Sequence, residues 1–134
     1  MVEAVPSAPA EPMFVRVRSA VGSAVVIWRG AAEAVGREHH VEWTVDEDVV
    51  WAGNAWPSLS ATPEVREDGD HTVLRGVLSL DEDGVADLDV GGALIMFEIA
   101  EAGGGRPPLP DGVDGSWVEV RVARDRTAVW PFEV

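Results

Sequence analysis

The side chains best suited to chemistry in this sequence are three histidines within a set of 24 carboxylates. His39 and His40 are adjacent. On a strand they face opposite sides and cannot hold one metal together. His40 and Glu42 do share a face. With His71 from a neighbouring strand they would make a three-ligand site for zinc or a non-heme metal. No H-x-H or H-E-x-x-H spacing accompanies them, and surface histidines are the simpler reading. Asp81, Asp83, Asp87 and Asp89 surround a glycine turn and offer the hard oxygen ligands that calcium takes. Their spacing departs from D-x-[DN]-x-[DN]-G, so a charged hairpin tip competes with that reading. No serine lies in G-x-S-x-G. The glycines at 103–105 lack the Lys-Ser/Thr of a phosphate loop. Cysteine, lysine and tyrosine are all missing, and every one of the 10 basic residues is arginine. Thiolate zinc sites, cysteine nucleophiles and Schiff-base lysines are therefore excluded. No catalytic residue and no cofactor are expected.

The carboxylates say more as a charge pattern. The chain of 134 residues carries a formal net charge of -14. Sixteen of the 24 acids and only two of the ten arginines, Arg66 and Arg75, fall between residues 38 and 101. That segment carries essentially all the excess, an uneven spread that argues against general salt adaptation. It also argues against nucleic acid as a ligand, since phosphate binding needs positive surface. The acids gather as Asp46, Glu47 and Asp48; as Glu64, Glu67, Asp68 and Asp70; and as Asp81, Glu82, Asp83, Asp87 and Asp89. Gathered at one end of a fold, such turns would steer a basic protein partner. Scattered, they would serve solubility. Trp51 and Trp56 flank a turn-like Ala52-Gly53-Asn54-Ala55 and could anchor an interface. The expected partner-binding set is therefore Asp46, Glu47, Asp48, Trp51, Trp56, Asp68, Asp70, Asp81, Asp83 and Asp87.

The elements that must position these residues are strands. Alternation or short apolar runs mark 14–18, 24–28, 39–46, 49–51, 59–66, 72–80, 85–90, 94–100, 117–123 and 127–134. Segment 94–100 is apolar on both faces, hence central. Segments 117–123 and 127–134 read as a closing hairpin. Trp28, Trp43 and Trp130 lie on apolar patterns and are expected in the core. Glu67-Asp68-Gly69-Asp70 and Asp81-Glu82-Asp83-Gly84 read as tight turns, and only 30–38 could hold a short helix. Residues 1–12 are proline- and alanine-rich and are expected as a mobile tail. The fold class is all-β: one antiparallel sandwich or barrel of about eight or nine short strands over residues 13–134.

Ser116 to Val122, then Ala128 to Glu133, resemble the closing hairpin of small bacterial β-sandwich proteins, and more distantly competence-type nuclease inhibitors. The resemblance carries no functional motif.

No apolar run approaches the ~20 residues of a membrane helix, and the first residues lack the pattern of a signal peptide. A cytoplasmic protein is the expectation, with oligomeric state left open. The leading reading of function is a non-catalytic acidic binding protein, of inhibitor or immunity type, that engages a basic protein. The alternatives are a small-ligand barrel or metal-dependent enzyme built on His40, Glu42 and His71, and an accessory domain that self-associates through a strand edge.

Overall fold

The computed structural model describes residues 1–5, 13–81, 85–99 and 109–132. Eleven strands follow one another: β1 (Val2–Ala4), β2 (Phe14–Ser19), β3 (Gly22–Trp28), β4 (His40–Val45), β5 (Ala55–Pro57), β6 (Glu64–Asp68), β7 (His71–Leu80), β8 (Val85–Val90), β9 (Ala93–Glu98), β10 (Trp117–Ala123) and β11 (Thr127–Phe132). Single 3-10 turns at Ala32–Ala34 and Arg124–Arg126 are the helical content of the described residues. None is long and apolar enough to cross a membrane.

The strands close into a barrel. The ring runs β3, β11, β4, β9, β8, β7 and β6, and β6 returns to β3 where Gly22 pairs with Val65. Neighbours within it are mostly antiparallel. β3 with β11, β3 with β6, and β4 with β9 are parallel. β1 and β2 extend the sheet from β3, and β10 and β5 extend it from β7. Both β3 and β7 divide one edge between two partners. β7 gives His71–Arg75 to β6 and Val77–Leu80 to β8. Gly76 stands at the crossover, where a Cβ would lie 2.2 Å from the Asp89 carbonyl oxygen. A glycine is what lets the two backbones approach.

Alternation puts one side of each strand into a continuous core. Leu74, Leu78, Leu88, Ile95, Val26 and Val120 are fully buried there. Aliphatic side chains thus dominate the interior, and a pocket of about 360 Å³ opens among Val17, Trp43, Val65, Val90 and Ile95. Truncating one of the core leucines to alanine costs about 2–5 kcal/mol. Trp28 and Trp43 are buried as expected, and the Trp28 indole donates to the Ala31 carbonyl at 2.9 Å. The two-residue turn Gly69-Asp70 joins β6 to β7, with Gly69 at φ 61° as a tight hairpin demands.

Several expectations are corrected. β10 and β11 do not form a hairpin: β10 pairs with β7 and β5, and β11 pairs with β4 and β3. The turn at Arg124–Arg126 sends the chain across the barrel instead. The Thr127 hydroxyl closes that corner by donating to the Ala123 carbonyl at 3.0 Å. Trp130 is not core. Residues 49–51 make only isolated bridges, Val49 with Ile99 and Trp51 with Ala55. Residues 2–4, expected within a tail, pair with β2, and Val2 is buried. The Val2 amide donates to Arg37 and its carbonyl accepts from Gly36. Residues 6–12 lie outside the described residues.

Candidate functional site

Four adjacent ring strands, β11, β4, β9 and β8, present one continuous outer face. On β9 the parity that buries Ile95 and Phe97 turns Leu94, Met96 and Glu98 outward. Leu94 is 59% exposed and Met96 54%. β4 turns out His40, Glu42 and Thr44, and β8 turns out Asp87 and Asp89. On β11, Val129 points inward and Trp130 outward at 45% exposure.

Register sets these side chains in rows. Thr44 lies beside Met96, and Met96 beside Asp87. In the next row Trp130 is opposite Glu42, and Leu94 opposite Asp89. Neighbouring strands are about 4.8 Å apart, so each row is a ladder of touching side chains. The Trp130 indole donates to the Thr44 hydroxyl at 3.3 Å, which holds the ring over β4. The result is an exposed apolar strip, Leu94 and Met96, with carboxylates on both sides and a tryptophan beyond. Exposed apolar side chains rimmed by charge are a candidate interaction surface.

At one end this face runs into an open groove of about 920 Å³. Asp46, Glu47, Asp48, Glu98 and Asp125 line it together with Met96 and Phe97, and Arg126 is the one cation among the described residues that line it. The Arg126 guanidinium stands 3.8 Å from Asp46. Glu47 has a bracing role as well: one oxygen accepts the Ala123 amide at 3.0 Å and the other accepts Asn54 Nδ2 at 3.0 Å.

The opposite side of the barrel is different. Across β6, β7 and β10, Glu64, Arg75 and Glu119 stand in one row, with Arg66 bridging Glu64 and Glu119 at 3.3 and 2.9 Å. Arg121 holds Asp68 at 3.0 Å, and Arg16 holds Glu67 at 3.2 Å. Glu64, Glu67, Asp68 and Glu119 are thus each matched by an arginine. Among the described residues, Glu42, Asp87, Asp89 and Glu98 enter no ion pair.

The expected partner-binding residues therefore separate. Asp46, Glu47 and Asp48 line the groove, and Asp87 lies on the adjoining face. Asp81 sits at the same end, its carboxylate accepting the Val85 amide at 2.9 Å. Asp68 and Asp70 occupy the β6–β7 turn on the ion-paired side. Trp51 is half-buried against the core, and Trp56 lies on the outermost strand β5 opposite Glu119. Asp83 lies outside the described residues.

The metal set does not assemble. His71 opens β7 just after the β6–β7 turn, where its Nδ1 is 2.7 Å from the Asp70 carboxylate. His40 opens β4, opposite Phe132 on β11. β4 and β7 are not neighbours in the ring. Among the described residues no group of three or more histidines and carboxylates could hold a metal ion. The hydrogen bond from the His71 ring, and then the ring's charge, hold the Asp70 carboxyl below its ordinary value. His39 is a structural residue: its Nε2 lies 2.6 Å from the Ala34 carbonyl oxygen, and its ring packs on Trp28.

No protein-family model, curated protein or solved structure matches the chain.

Leu94, Met96 and Trp130 are the site residues that sequence reasoning missed. The signal was there, because 94–100 is apolar at both parities. It reads as a strand covered on both sides, and here one side is bare.

Proposed function

We propose that this protein is a non-catalytic acidic binding protein that engages a basic protein partner, as inhibitors and immunity-type proteins do. One observation carries this reading. Among the described residues, the carboxylates on the β11–β4–β9–β8 face, and those in the groove at its end, have almost no arginine partners. On the opposite side Glu64, Glu67, Asp68 and Glu119 are held in ion pairs with arginines. A directed field of this kind speeds encounter with a positive partner and orients it. Binding alone would occlude the partner, so no catalytic group is needed.

The test compares two baits on a matrix, the wild-type protein and the variant Asp46→Arg, Asp48→Arg, Asp87→Arg. Extract from the source organism is applied at low salt and eluted with a salt gradient. The reading expects a basic protein that the wild type retains, that salt releases and that the variant fails to retain. A set of retained proteins identical for both baits would overturn it.

A further inference from the structure

We infer that the partner meets this face as a basic amphipathic helix laid along β9, an inference that rests on the basic-partner reading. Leu94 and Met96 are two residues apart on one strand, so their side chains stand about 6.7 Å apart. Apolar residues at i and i+4 of a helix are spaced about 6 Å apart. One turn of an apolar helical stripe therefore covers both. The carboxylates flank this strip at the right width. Glu42 is one strand away on β4, and Asp87 and Asp89 are one strand away on β8. The flanks are about 10 Å apart across the strip, close to the diameter of a helix with its side chains. Arginine or lysine on each shoulder of the helix can lay its stem on the apolar strip and reach a carboxylate with its head. Trp130, pinned by Thr44, offers its ring to a cation on the β4 side.

Two other occupants fit less well. An added strand needs an open sheet edge, but β4, β9 and β8 each have neighbours on both sides. A second copy of this chain would set carboxylate rows against carboxylate rows, which is repulsive.

The test uses two synthetic peptides of identical composition, built from leucine, alanine and arginine. One places its leucines on a single helical stripe, and the other scrambles them. Each is titrated into the intact protein at low salt, followed by fluorescence anisotropy and by circular dichroism. The striped peptide is expected to bind at least about tenfold more tightly and to gain helicity. The variant Leu94→Ser, Met96→Ser should lose that preference while keeping its affinity for the scrambled peptide. Both positions are exposed, so the fold should tolerate them. Equal affinity for the two peptides, or a preference that survives in the variant, would overturn the helix inference. If the scrambled peptide binds in a salt-sensitive way with no preference for the stripe, the basic-partner reading stands and the helix alone falls. If neither peptide binds, both fall. A dimer of the wild type that the variant abolishes would give the strip to a second copy instead.

Discussion

The carboxylate of Glu47 accepts the backbone amide of Ala123 at 3.0 Å, joining residues 76 apart in the chain. Its second oxygen accepts from Asn54, whose own side chain takes the Val50 amide at 2.7 Å and whose carbonyl takes the Arg121 amide at 2.8 Å. One acid of the Asp46–Asp48 run thus ties the loop before β5 to the end of β10. Its neighbours in sequence face the groove.

A clear difference in stability should follow. Glu47→Ala removes a charged acceptor from two part-buried donors, a loss of about 2 kcal/mol. Asp48→Ala removes no side-chain hydrogen bond of this kind and should stay within about 0.5 kcal/mol of wild type. Urea denaturation of both variants measures the difference. Equal losses would show that Glu47 is not a brace.

The barrel's two shared edges make a second prediction. At Gly22 a Cβ would lie 1.9 Å from the Val65 carbonyl oxygen, at φ 132°, and at Gly76 it would lie 2.2 Å from that of Asp89. The obstacle at both is backbone, which cannot rotate aside. Gly76→Ala should cost about 3 kcal/mol by overpacking, and Gly22→Ala at least as much because its dihedral adds strain. Thermal melts of the two variants provide the check. A melting point within a degree or so of wild type for either would mean that the strands separate more easily than their register implies.

Much of this fold can be read along the chain, because alternation is local. The β4 sequence His-Val-Glu-Trp-Thr-Val shows its outward face directly, and Gly69 marks the β6–β7 turn. What cannot be read is decided by long-range pairing. Two alternating strands joined by residues 124–126 look the same whether they form a hairpin or turn a corner, and only the partners offered by β7 and β4 distinguish these. Val-Glu-Ala at residues 2–4 is too short to show any period, and it becomes a strand because β2 and the 36–37 loop pair with it. Trp130 has the right residue type for a core, but Val129 takes the inward parity. At the site, composition reveals an acid excess in one segment. It cannot reveal that Arg66, Arg75 and Arg121 neutralise one side of the barrel and leave the other charged.

The Asp70–His71 pair bears on pH dependence. The folded carboxyl of Asp70 lies below its ordinary value of 3.8, chiefly through the hydrogen bond from His71. A depressed folded value means that the contribution to stability is fully present above the ordinary value. It is lost as pH falls through the lowered one. In His71→Ala the Asp70 midpoint should rise toward 3.8, and stability should fall less on acidification. A carboxyl-detected NMR titration of the two proteins reads this directly. Identical midpoints would show that the pair does not persist in solution.

The unequal neutralisation of the two sides predicts opposite responses to losing a negative charge. Glu119 lies 2.9 Å from Arg66 and 3.8 Å from Arg75, whose buried Nε has no hydrogen-bond partner. Glu119→Gln removes the charge these guanidinium groups face and should destabilise by about 1 kcal/mol. Asp87 has no such partner among the described residues, and Asp89 lies two residues along on the same face. Asp87→Asn should therefore relieve repulsion and stabilise by about 0.3 kcal/mol at low ionic strength. Near 1 M salt the screening length shrinks to about 3 Å. The gain from Asp87→Asn should then vanish, while part of the loss from Glu119→Gln persists because Arg75 is largely shielded from solvent. Denaturation of both variants at low and high salt tests the asymmetry. A destabilised Asp87→Asn at low salt would mean that this face is already neutralised, and it would remove the electrostatic basis for a basic partner.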